Sequence, residues 1–210
     1  MKIFKRILYW FLLVVGVLLS VFADIVFLGK AFGTGLNIPV GIILCVAGFA
    51  VTVFLSIMLH ELGHMIFGLI GGMAFQSIRL PFVTLTKLNG KLKFIKNNER
   101  GALGMCEMYP KTSVNPEKCF ALQAAGGPFG SLIALGFSLT MLLLGGSING
   151  YVTCFFGSAA PILYLILLDN SFPLEIAGAK TDGAQIIGYV KKDPSFVLLS
   201  AALTAQGYYY

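Results

Sequence analysis

The sequence predicts an integral membrane protein. It reads as a mainly α-helical bundle of about four transmembrane helices, with a small β-hairpin or sheet element between the second and third spans. Three observations predict this. Of 210 residues, 57% are hydrophobic and only 11% are charged, against roughly 25% charged in a soluble domain. Four runs approach or exceed the ~20 apolar residues that cross a bilayer core. Between the second and third runs the composition turns strand-like around an Asn-Gly dipeptide. A single membrane-embedded domain covering 1–210 is the natural unit.

The first span is expected at about 7–28, interrupted by Asp24 near its far end. Lys2, Lys5 and Arg6 precede it, and Val21-Phe22-Ala23 resembles a cleavage site, so a signal peptide ending near residue 23 is one reading. A retained anchor is preferred, because apolar residues resume after Asp24. The second span covers about 38–59, entered through Asn37 and Pro39, with its helix continuing to 71. The third covers about 120–145 and the fourth about 151–168.

The basic residues orient the spans. The formal charge is +6, and every lysine and arginine except Lys30 falls on one face of this arrangement. That bias marks the face as cytoplasmic, with both termini inside, in a bacterial-type plasma membrane. It accounts for the net charge without a nucleic-acid partner.

The segment of about 73–100 is β-rich. Asn89-Gly90 favours a two-residue type I′ turn, and Lys91-Leu92-Lys93-Phe94 alternates polar with apolar. It reads as a cytoplasmic hairpin on the membrane surface, or as a sheet edge able to hold an extended peptide by strand addition. The tail, 184–210, is interrupted at Lys191-Lys192-Asp193-Pro194 and suits two short cytoplasmic helices. Cys45, Cys106, Cys119 and Cys154 have no CxxC spacing and read as free apolar fillers.

The chemistry concentrates in His60-Glu61-Leu62-Gly63-His64. On a helix, positions i and i+4 differ by about 40° in direction, so His60 and His64 project from one face and can grip one ion. Glu61 lies beside that face, close enough to take a proton from a water held there. Imidazole and carboxylate ligands with an open water position suit one Zn2+ ion, which lowers the pKa of its water to about 7. Chance is a poor explanation. Each ionisable group in a membrane segment costs about 2.5–3.5 kcal/mol on insertion scales, and the chain places both of its histidines here.

The sequence holds no third histidine, so the third ligand is a carboxylate or, less favourably, a cysteine. Glu99, Glu107, Glu117, Asp169, Glu175, Asp182 and Asp193 all lie near the cytoplasmic face. Asp169 and Asp182 are the best placed, just after the fourth span returns to the side that holds His60.

These residues resemble the site-2 protease family of intramembrane zinc metalloproteases. Three pieces match in order: HELGH near the cytoplasmic end of a span, Ala125-Gly126-Gly127-Pro128 in the next span, and Asn170-Ser171-Phe172-Pro173 followed by Thr181-Asp182-Gly183. Together they cover about 38–190. The resemblance implies His60, His64 and Asp182 as zinc ligands and Glu61 as general base. It implies Asn170 near the substrate or the developing oxyanion. The substrates it implies are membrane-tethered regulators, signal-peptide remnants or peptide precursors, cleaved in or near transmembrane segments. More residues separate Pro173 from Asp182 than in many members, which keeps Asp169 as the reserve ligand.

Two rivals are weighed against this reading. A metallopeptidase with a soluble catalytic domain needs more than the loop of about 73–119. A non-enzymatic membrane zinc transporter or metal sensor would place ligands on several spans. Here the first, third and fourth spans carry almost no ionisable groups apart from Asp24.

Overall fold

The computed structural model describes residues 2–33, 35–96, 104–111, 114–176 and 178–207. Four of its helical stretches are long and apolar enough to cross a membrane: Ile3–Gly33, Ile38–Ile70, Pro116–Leu144 and Gly150–Ser171. The chain forms two compact units, one of Met1–Ser56 with Ser131–Asp169 and the other of Ile57–Gly130 with Asn170–Tyr210.

The first unit is helical. Helix α1 covers Lys2–Gly33, longer than the expected 7–28, because Asp24 and Lys30 are carried within it rather than ending it. Its apolar side chains stay largely uncovered, Phe22 at 65% exposure. The Tyr164 hydroxyl donates to the Leu12 carbonyl at 2.7 Å, and Gly16 leaves room for the Tyr164 ring. Helix α2 covers Ile38–Ile70, and its first part belongs here. Gly48 lets it lie against the Phe155 carbonyl.

Helix α3, Pro116–Ile148, contributes its second half to this unit. The expected fourth span is two helices, α4 at Gly150–Gly157 and α5 at Ala160–Ser171. Pro161 supplies the reason. Proline has no N–H to donate and clashes with the carbonyl four residues earlier, so a helix cannot run through it undisturbed. Leu135, Ala159, Ala160 and Leu163 form the buried centre of this unit.

The second unit joins the end of α2 to a sheet. Strands β1 (Met73–Arg79), β2 (Val83–Leu88), β3 (Lys91–Lys96) and β4 (Met105–Pro110) form an antiparallel sheet in the order β3-β2-β1-β4. At the β2–β3 turn Asn89 and Gly90 have φ of 51° and 75°, as a type I′ turn requires. The strand-rich segment therefore extends past the expected 73–100. Its fourth strand pairs with β1, from Met73 opposite Pro110 to Arg79 opposite Met105, with an irregularity between Phe75 and Ser77.

A short hairpin follows α5, with β5 at Glu175–Ile176 and β6 at Ala179–Lys180. The tail then forms two helices, α6 at Asp182–Val190 and α7 at Pro194–Gly207, in the region where two short helices are expected. Met73, Met108, Cys119, Phe120, Ala121 and Phe196 are the core that binds sheet, α3 and α7 together.

Candidate metal centre

All the elements of the site belong to the second unit. His60 and His64 lie one turn apart on α2, His60 and Glu61 buried and His64 partly buried. Close approach of α3 encloses them. Gly63 and Gly126 meet backbone to backbone, where a Cβ on either would strike the other's carbonyl, and Gly127 faces both imidazoles. The glycines of HELGH and of the α3 motif thus meet each other at the site.

Asp182 arrives as the first residue of α6. Thr181 caps that helix, its hydroxyl accepting from Ala184 N at 3.3 Å and donating to the Phe172 carbonyl at 2.7 Å. Gly183 packs so tightly on the Ser171 carbonyl that no Cβ fits. The Asn170–Pro173 stretch and the Asp-Gly pair are therefore one local structure, although β5 and β6 separate them in sequence.

The ligand atoms converge. His60 Nε2 and His64 Nε2 each lie 3.4 Å from Asp182 Oδ2, and the two nitrogens are 3.1 Å apart. One ligand atom from each of the three residues falls within 4.8 Å of the others, the one such group of three or more among the described residues. His64 Nδ1 lies 2.7 Å from the Gln123 carbonyl. It therefore carries the proton, and Nε2 presents a lone pair.

Asp182 Oδ2 is buried without a hydrogen-bond partner. Three electron-rich atoms packed this closely need a positive charge between them. Tetrahedral zinc with ligands at ~2.0–2.1 Å sets neighbouring ligands about 3.3–3.4 Å apart, which matches the spacing here. The donor set fits zinc.

Glu61 Oε2 is likewise buried and without a hydrogen-bond partner. The other oxygen abuts Gly104 at the entry to β4, where a Cβ would collide with it. His60, Glu61, His64, Asp182 and Asn170 all line one cavity of about 520 Å³, and β4 from Met105 to Tyr109 forms part of its wall.

The remaining expected acids go elsewhere. Asp169, the reserve ligand, accepts the Tyr9 hydroxyl at 2.5 Å in the first unit and is not among the three converging groups. Glu107 lines the cavity but is engaged by Ser77 at 2.6 Å and Arg79 at 3.7 Å. Asp193 pairs with Lys180 at 3.2 Å. Glu117 sits in the first turn of α3 and Glu175 in β5. Glu99 lies outside the described residues. Cys106 reaches the cavity wall, but burial, with the Glu61 carboxylate, pushes its thiol up to about 12, so it stays protonated and is a poor ligand.

Sequence reasoning missed Gln123. Its backbone carbonyl receives His64 and its side chain donates to the Cys106 carbonyl at 3.1 Å, tying β4 to α3 beside the three converging side chains. The available signal was a lone polar residue in the apolar run Cys119–Gly130. Compared with protein-family models, curated proteins and solved structures, the chain matches none.

Proposed function

We propose that the chain is an intramembrane zinc metalloprotease similar to the site-2 protease family, hydrolysing peptide bonds in or near transmembrane segments. The observation that carries this is the convergence of His60, His64 and Asp182 beside a buried, unpartnered Glu61 carboxylate. Four helices of spanning length and apolarity, with Phe22 and its neighbours uncovered, support a bilayer as the surroundings.

His60, His64 and Asp182 would hold one zinc ion. When bound, zinc acts as a Lewis acid that activates water and polarises the scissile carbonyl. Glu61, with one oxygen held against Gly104 and the other unpartnered, takes the proton of the attacking water and passes it to the leaving amine. His64 keeps its orientation through the Gln123 carbonyl. Asn170, on the cavity wall, would donate to the substrate carbonyl as negative charge develops there.

A substrate helix must open before its backbone reaches this site, and backbone groups freed in lipid cost several kcal/mol unless they are paired again. Among the described residues strand β4 has β1 as its strand neighbour, and it lines the cavity. It can re-pair the opened segment by strand addition. The substrates that suit this chemistry are membrane-tethered regulators, signal-peptide remnants or peptide precursors. The orientation that goes with it places both termini in the cytoplasm and the site near that face of a plasma membrane.

Glu61→Gln should retain zinc, measured by elemental analysis of the purified protein, while cleavage falls by about 10²–10⁴-fold, the usual worth of a general base. His60→Ala, His64→Ala and Asp182→Ala should lose the ion too. Membrane peptides that accumulate in cells expressing Glu61→Gln but not wild type would identify the substrate. Unchanged cleavage by Glu61→Gln would end the hydrolase reading. Zinc uptake into vesicles without any cleavage would favour a transporter.

A further inference from the structure

The β2–β3 hairpin has a surface that neither the core nor the metal centre uses. Every side chain of β3 is exposed, Leu92 at 61% and Phe94 at 76%. The register sets Phe94 opposite Leu85, Leu92 opposite Lys87 and Lys96 opposite Val83. Directly opposed residues share a face. One face therefore carries an apolar strip of Leu85, Leu92 and Phe94 with Lys87 and Lys96 at its ends. Lys91 and Lys93 stand on the other face, and residues 80–96 contain no acidic group.

Lysines on an edge strand can serve simply to discourage pairing with another chain. That role does not call for an exposed Phe94 and Leu92 between them. Apolar side chains with a cation at each end, and no anion among them, match the chemistry of a lipid interface. The apolar groups enter the boundary between headgroups and acyl chains while the ammonium groups reach the phosphates. We infer that this hairpin docks on an anionic lipid surface through the face that carries Leu92 and Phe94, held by Lys87 and Lys96 at its ends.

The inference rests on the reading that the chain is embedded in a bilayer. Such a surface is close at hand, because β1 starts at Met73, directly after α2 ends at Ile70. Each lysine near an anionic leaflet contributes roughly fivefold in partitioning. Two of them on the docking face make lipid charge, alongside apolar contact, a selective element.

The test uses the full chain in nanodiscs of phosphatidylcholine, with or without phosphatidylglycerol, and brominated acyl chains as quenchers. The native chain has a single tryptophan, Trp10, on α1, and its quenching reports embedding. In a Trp10→Phe background, Phe94→Trp reports the hairpin. The expected result is quenching of the introduced indole in the anionic discs, at least about twofold weaker in the neutral ones. Adding Lys87→Gln and Lys96→Gln should remove that preference.

Three outcomes would overturn the inference: an indole at position 94 unquenched in both discs while Trp10 is quenched, equal quenching in the two lipids, or a blue-shifted but unquenched emission, which would mean a protein surface covers the strip. Failure of Trp10 to quench would instead strike the embedding reading, and quenching at position 94 alongside it would leave the docking intact.

Discussion

The position of Asp182 depends on its neighbours more than on its own side chain. Gly183 meets the Ser171 carbonyl where no Cβ can stand, so even the smallest side chain must push α6 away from the end of α5. Gly183→Ala should cost about 1–3 kcal/mol, the usual range for overpacking. It should also weaken zinc retention, because Asp182 moves with the helix. Competition against a graded zinc chelator reads this directly. Retention equal to wild type would mean that the loop absorbs the extra methyl group without moving the carboxylate. The Asp-Gly pair was visible in the sequence, but its tight contact was not, since a dipeptide pattern does not say which carbonyl lies above it. His60, Glu61 and His64 were legible for the opposite reason. Their relation is fixed by helical geometry within five residues. Gln123 escaped because its contribution is a backbone carbonyl and an amide reaching another element, neither of which leaves a spacing signal.

Among the elements, α7 has a start sensitive to acid. Asp193 accepts from Ser195 N at 3.0 Å and from the Ser195 hydroxyl at 2.9 Å, and it pairs with Lys180 at 3.2 Å. These contacts, the Ser195 hydrogen bonds foremost, hold its carboxyl below the ordinary value. A lowered folded-state value means the contribution is fully present above the unfolded pKa, about 3.9 for aspartate, and is lost as pH falls through the lower folded value. Amide protection at the first turn of α7, taken relative to the intrinsic exchange rate at each pH, should therefore fall as pH drops below about 4. Asp193→Asn should keep the cap while flattening that dependence. An equally pH-dependent protection in Asp193→Asn would assign the effect to another group. The two tail helices were legible from the Lys-Lys-Asp-Pro break. Strand β4 was not, because Met105–Pro110 has no alternation of polar and apolar residues and ends in a proline. Its pairing with β1 is tertiary information. The split of the fourth span at Pro161 was written in the sequence, but total hydropathy outweighed it.

For the whole molecule, the proposed ligand set would link metal to stability. His60 and His64 come from α2 and Asp182 from α6, so unfolding separates the three and destroys the site. An ion that binds only the folded chain stabilises it by about 2.7 kcal/mol at a hundred times its dissociation constant and about 4.1 kcal/mol at a thousand times. Removing zinc should therefore lower the thermal midpoint of the protein in lipid nanodiscs, and returning zinc should restore it. Glu61→Gln keeps all three ligands and should show the full shift. His64→Ala and Asp182→Ala should melt at a midpoint that a chelator no longer moves. This pattern separates ligation from catalysis without needing a substrate, because the base and the ligands part company in a binding measurement. A wild-type midpoint indifferent to chelator and to added zinc would mean that the three side chains converge for structure alone, and the proteolytic reading would lose its chemical centre.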